Sequence, residues 1–278
     1  MILRKYSEVD VFSPTAYRGN PLAVVHGAEG LSDAEMQRFA KWTNLAETTF
    51  LLDPTTPDAD YRVRIFTATH ELPFAGHPTL GTAFAWLNAS GVPKTDGKIV
   101  QECGAGLVEV RVEGQRFAFA APQLTRYEPI DESLMEKIAH ALGVAREDII
   151  DTSWLVNGPE WIGVRLSSAQ EVLALNPDPA DLGLLTVGVV GPHGPGHDAD
   201  FEVRAFVGGD PVWEDPVTGS LNAGLARWMI DSQIAGQHYI AAQGTAIGYE
   251  GRVHIDSEDG IIWVGGNVMG CVNGEVQL

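Results

Sequence analysis

Along most of the chain, apolar and polar positions alternate over short stretches. Such runs are Ile2–Val11, Leu22–Val25, Tyr61–Phe66, Leu107–Val112, Arg116–Ala120, Trp161–Leu166, Phe201–Phe206, Arg252–Ile255 and Ile261–Gly265, each bounded by Gly, Pro, Asp or Asn. This pattern predicts half-buried β-strands. Helical periodicity is rarer. Ser32-Asp-Ala-Glu35 reads as a capping box behind the staple residue Leu31, and it opens a helix whose apolar side carries Met36, Phe39 and Ala40. Ser133-Leu-Met-Glu136 opens a second helix that stops at Gly143, and Ser168-Ala-Gln-Glu171 opens a third. Two further segments, Gly76–Asn88 and Gly219–Ile230, are rich in Ala, Gly, Leu and Trp and almost free of charge. A helix apolar all round is buried on all sides. A mainly β chain with two such helices predicts two barrels or curled sheets, each wrapped around one helix.

The pattern also repeats. Tyr61-Arg-Val-Arg-Ile-Phe66 is echoed 140 residues later by Phe201-Glu-Val-Arg-Ala-Phe206. Each copy is followed by a Pro-containing loop and then by an apolar helix. Gly76-His-Pro-Thr-Leu-Gly81 and Gly219-Ser-Leu-Asn-Ala-Gly224 share their glycine spacing at an offset of 143. The chain therefore reads as a duplicated unit, with its boundary near 121–130, and its length of 278 residues suits two domains.

Composition narrows the partners. Lys and Arg total 18 against 37 Asp and Glu, a formal charge of −19. So acidic a surface repels phosphate backbones and anionic lipid heads, so neither nucleic acid nor a membrane is an expected partner. The two cysteines, Cys103 and Cys271, are too few for a disulfide scaffold or a structural zinc site. No signal peptide is legible, and Glu8 and Asp10 oppose a mitochondrial address, so a cytoplasmic location is expected. The eight histidines show no metal-ligand spacing, and no phosphate-binding or nucleophile-elbow motif occurs. The expected chemistry is metal-free acid–base work.

Three segments place polar groups in apolar or Gly/Pro-rich surroundings. Asn44-Leu-Ala-Glu-Thr-Thr-Phe50 puts Glu47 between a helix and an apolar run, where partial desolvation suits a carboxyl to proton transfer, although spacing alone favours a surface carboxylate at a helix–strand turn. Glu71-Leu-Pro-Phe-Ala-Gly-His-Pro-Thr79 puts His77 beside Gly76 at the start of a buried helix, where free N–H groups attract an anion and Pro78 is tolerated. Trp213-Glu-Asp-Pro-Val-Thr-Gly-Ser220 occupies the matching place in the second unit, with Asp215, Thr218 and Ser220 around Gly219. Asp215 read alone is an N-cap; read with the repeat, it is a site residue.

These segments, with Arg18-Gly-Asn-Pro21, the Gln243-Gly pair and the tail Gly265-Gly-Asn-Val, resemble in order and spacing the signatures of the PhzF-like phenazine-biosynthesis family. The resemblance implies a duplicated α+β fold of the diaminopimelate epimerase type, in which two pseudo-symmetric domains each wrap a curled sheet around a central helix. It implies a first domain of residues 1–122 plus a returning C-terminal strand at about 265–278, a second domain of 123–264, an active site in the cleft between them, and a homodimer. The implied activity is a cofactor-independent isomerase acting on a small carboxylate-bearing substrate such as trans-2,3-dihydro-3-hydroxyanthranilate. By resemblance Glu47 is the general acid/base; His77 and Asp215 share protons or orient the substrate. Gly76 and Gly219 offer backbone N–H groups to its carboxylate, Ser220 adds a hydroxyl, and Asn20 and Gln243 lie near the pocket. Epimerases of this fold carry a cysteine at the start of each buried helix, and here neither Cys103 nor Cys271 stands there, Cys271 being expected in a C-terminal turn. A cysteine-type racemase and a non-catalytic metabolite-binding or interaction protein remain the alternatives.

Overall fold

The computed structural model describes residues 2–209 and 213–278. The chain divides into two compact units, Met1–Ala120 with Gly265–Leu278 and Ala121–Val264. The first unit contains strands β1 (Leu3–Val11), β2 (Asn20–Val25), β3 (Glu47–Leu52), β4 (Tyr61–Phe66), β5 (Glu71–Leu72), β6 (Lys98–Cys103), β7 (Gly106–Glu113) and β8 (Arg116–Ala120), with helices α1 (Asp33–Thr43) and α2 (Gly76–Asn88). The second contains β9 (Arg126–Glu128), α3 (Glu132–Leu142), β10 (Asp151–Val156), β11 (Glu160–Arg165), α4 (Ala169–Ala174), α5 (Pro179–Leu182), β12 (Thr186–Pro192), β13 (Phe201–Val207), β14 (Glu214–Asp215), α6 (Gly219–Asp231), β15 (His238–Gln243) and β16 (Gly251–Glu258). The last strand, β17 (Ile261–Gln277), starts in the second unit and ends in the first.

In the first unit eight strands close a barrel in the order β1-β2-β3-β4-β6-β7-β8-β17, and β17 pairs antiparallel with β1 to complete the ring. Helix α2 fills the interior, with residues 76–83 buried on every side. The fit depends on Gly81, where a Cβ would lie 2.6 Å from Leu22 Cδ2 and 2.9 Å from Val9 Cγ2. Helix α1 covers the outside, packing Met36, Phe39 and Ala40 on Val25, Phe50 and Phe66.

The second unit repeats the order and direction of five of these strand pairings. β2–β3 and β11–β12 are parallel pairs; β4–β6 and β13–β15 are parallel too; the ladders β1–β2, β3–β4 and β6–β7 match β10–β11, β12–β13 and β15–β16, all antiparallel. Helix α6 occupies the place of α2, and Gly224 lets it approach Leu155. The outer face is covered by α3, α4 and α5 through Ile138, Leu142, Val172 and Leu182.

The repeat reaches further than the hexapeptides. Asp60 and Asp200 each exchange two hydrogen bonds with the strand behind the buried helix. The Asp60 N–H donates to Val100 O while its Oδ2 accepts the Val100 N–H; Asp200 does the same with Ile240, all at 2.7–2.8 Å. Arg64 grips Glu71 through Nε and Nη2 at 2.7 and 2.6 Å, and Arg204 grips Glu214 in the same way at 2.9 and 2.8 Å. Each clamp ties the middle of a barrel strand to the short strand that leads into the buried helix. The α+β duplicated fold is thus present, one curled sheet around one helix in each unit.

Several local readings change. The second helix starts at Glu132, because Asp131 rather than Ser133 is its cap: the Asp131 carboxylate accepts the Leu134 N–H at 2.9 Å. Asp215 does not cap α6; Thr218 stands at the cap, and Asp215 closes β14. Cys271 lies not in a turn but in β17, at a bulge where Glu8 pairs with Val272 and Val9 with Gly270.

Candidate active site

Glu47 is placed by the way α1 ends. Asn44 adopts φ +56° and its N–H caps the Ala40 carbonyl, a conformation that stops a helix. Three residues later Glu47 enters β3 as its first residue, opposite Leu22. The hydroxyls of Thr43 and Thr48 meet at 2.9 Å and tie the strand's start to the helix's last turn.

His77 comes from the opposite direction. Leaving β5, the chain runs through Pro73-Phe-Ala75, and Ala75 holds extended geometry as the N-cap of α2 without any side-chain cap. Gly76, His77 and Pro78 form the first turn, whose N–H groups have no partner within the helix. His77 Nδ1 stands 3.4 Å from Glu47 Oε2, both side chains largely buried. Burial pushes the His77 pKa down to about 3, against the pull of the Pro21 carbonyl, so the ring is neutral near pH 7. A neutral imidazole facing a carboxyl can orient it or donate an N–H hydrogen bond, and it relays a proton only by releasing one at one ring nitrogen as it takes another at the other, since simple acceptance would make a buried cation.

Asn20 opens β2 opposite Val11 and is buried. Its placement depends on Asp10, a residue the sequence did not point to as part of a site. The Asp10 carboxylate is 2% exposed and accepts the N–H groups of Arg18 at 2.8 Å and Gly19 at 2.9 Å, folding the loop back on β1. Gly19 is required there, since a Cβ would lie 2.3 Å from the Val11 carbonyl oxygen. The available signal was an acid inside the otherwise apolar run Val9-Asp10-Val11-Phe12.

In the second unit Asp215, Thr218, Gly219 and Ser220 form the entry to α6. Thr218 Oγ1 donates to Asp215 Oδ2 at 2.6 Å. Gly219 is the first helical residue, again behind a cap position with no side-chain cap bond. Ser220 Oγ accepts the Trp161 indole N–H at 3.0 Å, and its carbonyl accepts from Asn157 Nδ2 at 2.8 Å. Gln243 is fully buried and directs its amide to its own chain, at Asp215 O, Thr218 and Asn222. Glu47, His77, Asn20 and Gly76 thus belong to the first unit, and Asp215, Gly219, Ser220 and Gln243 to the second.

The sites also differ from a two-thiol arrangement. Cys103 ends β6 and Cys271 sits in the β17 bulge, both away from the helix starts in sequence, and burial raises the pKa of each thiol. Among the described residues, no group of three or more His, Cys, Asp or Glu is arranged to hold a metal ion. No helix among them is long and apolar enough to cross a membrane.

The chain is similar to known proteins over almost its whole length. Residues 9–267 match the family described as phenazine biosynthesis-like protein, PhzC-PhzF. The chain is 35% identical to antisense-enhancing sequence 1 of Schizosaccharomyces pombe, over 99% of both proteins. It is 33% identical to the trans-2,3-dihydro-3-hydroxyanthranilate isomerase of Pseudomonas aeruginosa, covering 92% of this chain and 91% of that one. A crystal structure of a PhzF-family phenazine biosynthesis protein from Enterococcus faecalis superposes with a TM-score of 0.85 at 25% identity, over 100% of both chains. The chain belongs to the phenazine biosynthesis-like PhzC-PhzF family and, within it, is an isomerase.

Proposed function

We propose that this isomerase moves a proton within a small carboxylate-bearing substrate, with Glu47 as the general acid/base and no cofactor in the proton shift. The observation that carries the reading is the 3.4 Å approach of the Glu47 carboxyl to a neutral, buried His77 at the uncapped start of α2. A carboxyl in a largely dry setting suits proton exchange with carbon, and the helix N-terminus stabilises negative charge that develops as the C–H bond breaks. In the second unit, Asp215 and the start of α6 supply a carboxylate and further N–H groups. The candidate substrate is trans-2,3-dihydro-3-hydroxyanthranilate, the compound named for the Pseudomonas aeruginosa relative, with Glu47 moving the proton from its C3.

A thiol mechanism finds no support in the positions of Cys103 and Cys271. The test is conversion of the dihydro-hydroxyanthranilate, followed by NMR. The wild type and a Cys103→Ala/Cys271→Ala variant are expected to convert it. Glu47→Gln is expected to lose at least about a hundredfold in kcat, the usual scale of a removed acid–base group. Conversion that depends on the thiols instead would support the racemase reading, and absence of conversion in the wild type would reject this substrate.

A further inference from the structure

The hydrogen bonds around Asp215 have a fixed direction, because backbone groups set each amide. The Thr218 N–H can only donate, and it lies 3.1 Å from one end of the Gln243 amide, which is therefore Oε1. The Asp215 carbonyl can only accept, and it lies 3.0 Å from the other end, which is therefore Nε2. The Thr218 carbonyl likewise fixes the donor end of Asn222 at 2.9 Å, and this same Nδ2 donates to Gln243 Oε1 at 2.8 Å. Gln243 Nε2 also donates to Thr218 Oγ1 at 2.9 Å. Receiving that proton, the hydroxyl turns its own toward the acceptor at 2.6 Å, Asp215 Oδ2. Gln243, Asn222 and Thr218 are 0%, 1% and 6% exposed, so water does not compete for these bonds.

The first unit contains the same pair of residue types with another end point. Buried Gln101 accepts from the Tyr61 hydroxyl at 3.1 Å and donates to Thr79 Oγ1 at 2.9 Å, and Thr79 donates to the Ala75 carbonyl at 2.9 Å. There a glutamine–threonine pair closes a helix turn. In the second unit its last proton points at a carboxylate.

We propose that Gln243 and Thr218 are positioning residues that hold Asp215 as a carboxylate and proton acceptor, so that Asp215 receives an N–H or O–H of the substrate rather than donating to it. This rests on the reading of Asp215 as an active-site group. A hydroxyl locked as donor favours the charged form of its partner, and protonation at Oδ2 would turn two donors on each other. Gln243 then acts through the chain rather than on the substrate.

The test is a titration of the Asp215 carboxyl by carbon-13 NMR in the intact protein. Thr218→Val keeps the shape and removes the donor. It is expected to raise the proton affinity of Asp215 by about tenfold, one pH unit, and Thr218→Ser to restore it. Gln243→Glu, which replaces the amide donor with an acceptor, is expected to move the midpoint the same way. An unmoved midpoint in Thr218→Val overturns the proposal, whatever the activity. The acidic limb of the kcat/KM profile on trans-2,3-dihydro-3-hydroxyanthranilate should move with the midpoint. A moved midpoint with an unmoved limb upholds the direction of the chain and overturns the placing of Asp215 in the reaction.

Discussion

Burial holds His77 with a pKa of about 3, below the ordinary value of 6.5. Between pH 6.5 and 3 the unfolded chain therefore binds a proton at this residue that the folded protein does not. Its stabilising contribution is complete above pH 6.5 and is lost as the pH falls toward 3. His26, lowered to about 4 by burial and Lys5, acts in the same sense. Glu202, raised to about 7 by burial, acts in the opposite sense, favouring the fold more at pH 4.5 than at pH 7. The His77 share is isolated by comparing the wild type with His77→Gln in urea unfolding at pH 7 and pH 4.5. The variant should lose less stability on acidification than the wild type, and parallel losses would show that the ring is not held neutral. At this scale the sequence was informative where a residue's neighbours are close along the chain. Glu47 and His77 stood out by their place at the edge of a helix and an apolar run. The role of Asp10 and the bonds of Gln243, a residue named only through the resemblance, did not, because the groups they hold lie 8 to 28 residues away and meet them only in the fold.

The paired elements make a sharper prediction, because the same Arg–Glu clamp occurs in two environments. Arg204 and Glu214 have side chains 5% and 4% exposed, whereas Arg64 and Glu71 are 18% and 41% exposed. Removing one partner of a buried pair strands a charge at a cost of about 3–5 kcal/mol, while an exposed pair is worth about 0–1 kcal/mol. Glu214→Ala should therefore lower the urea midpoint far more than Glu71→Ala. Equal effects would mean that the Arg204 guanidinium reaches water or its other partners, the Val172 and Leu175 carbonyls, without Glu214. Packing gives a second case. Gly81→Ala forces a methyl against Leu22 and Val9 and should cost about 1–3 kcal/mol by overpacking; a neutral result would show that α2 sits loosely in its barrel. Legibility of the strands followed the same physics. Runs with one solvated face, such as Tyr61–Phe66, announced themselves by alternation. β12 did not, since residues 187–191 are buried throughout, between α6 inside and the outer helices, and a strand covered on both faces loses its period.

For the molecule as a whole, duplication was readable because it is written twice in the sequence, and the buried helices betrayed themselves by lacking charge. The length of β17 was less readable: glycines at 265, 266, 270 and 274 break its pattern, although its last half pairs with β1 from Leu3 to Val11. The charge of −19 has its own consequence. An anionic substrate is repelled at long range, and raising the ionic strength from about 0.01 M to 0.15 M shortens the screening length from about 30 Å to about 8 Å. On an anionic substrate kcat/KM should rise across that range, and a fall would reveal a local positive field that outweighs the net charge. The central claim, proton transfer at carbon by Glu47, is tested most directly in deuterium oxide. With trans-2,3-dihydro-3-hydroxyanthranilate, the wild type should form isomerised product carrying solvent deuterium at the carbon that receives the proton, to whatever extent the carboxyl exchanges before delivery. Glu47→Gln should neither isomerise the substrate nor introduce the label. Isomerisation and labelling that persist undiminished in Glu47→Gln would contradict it.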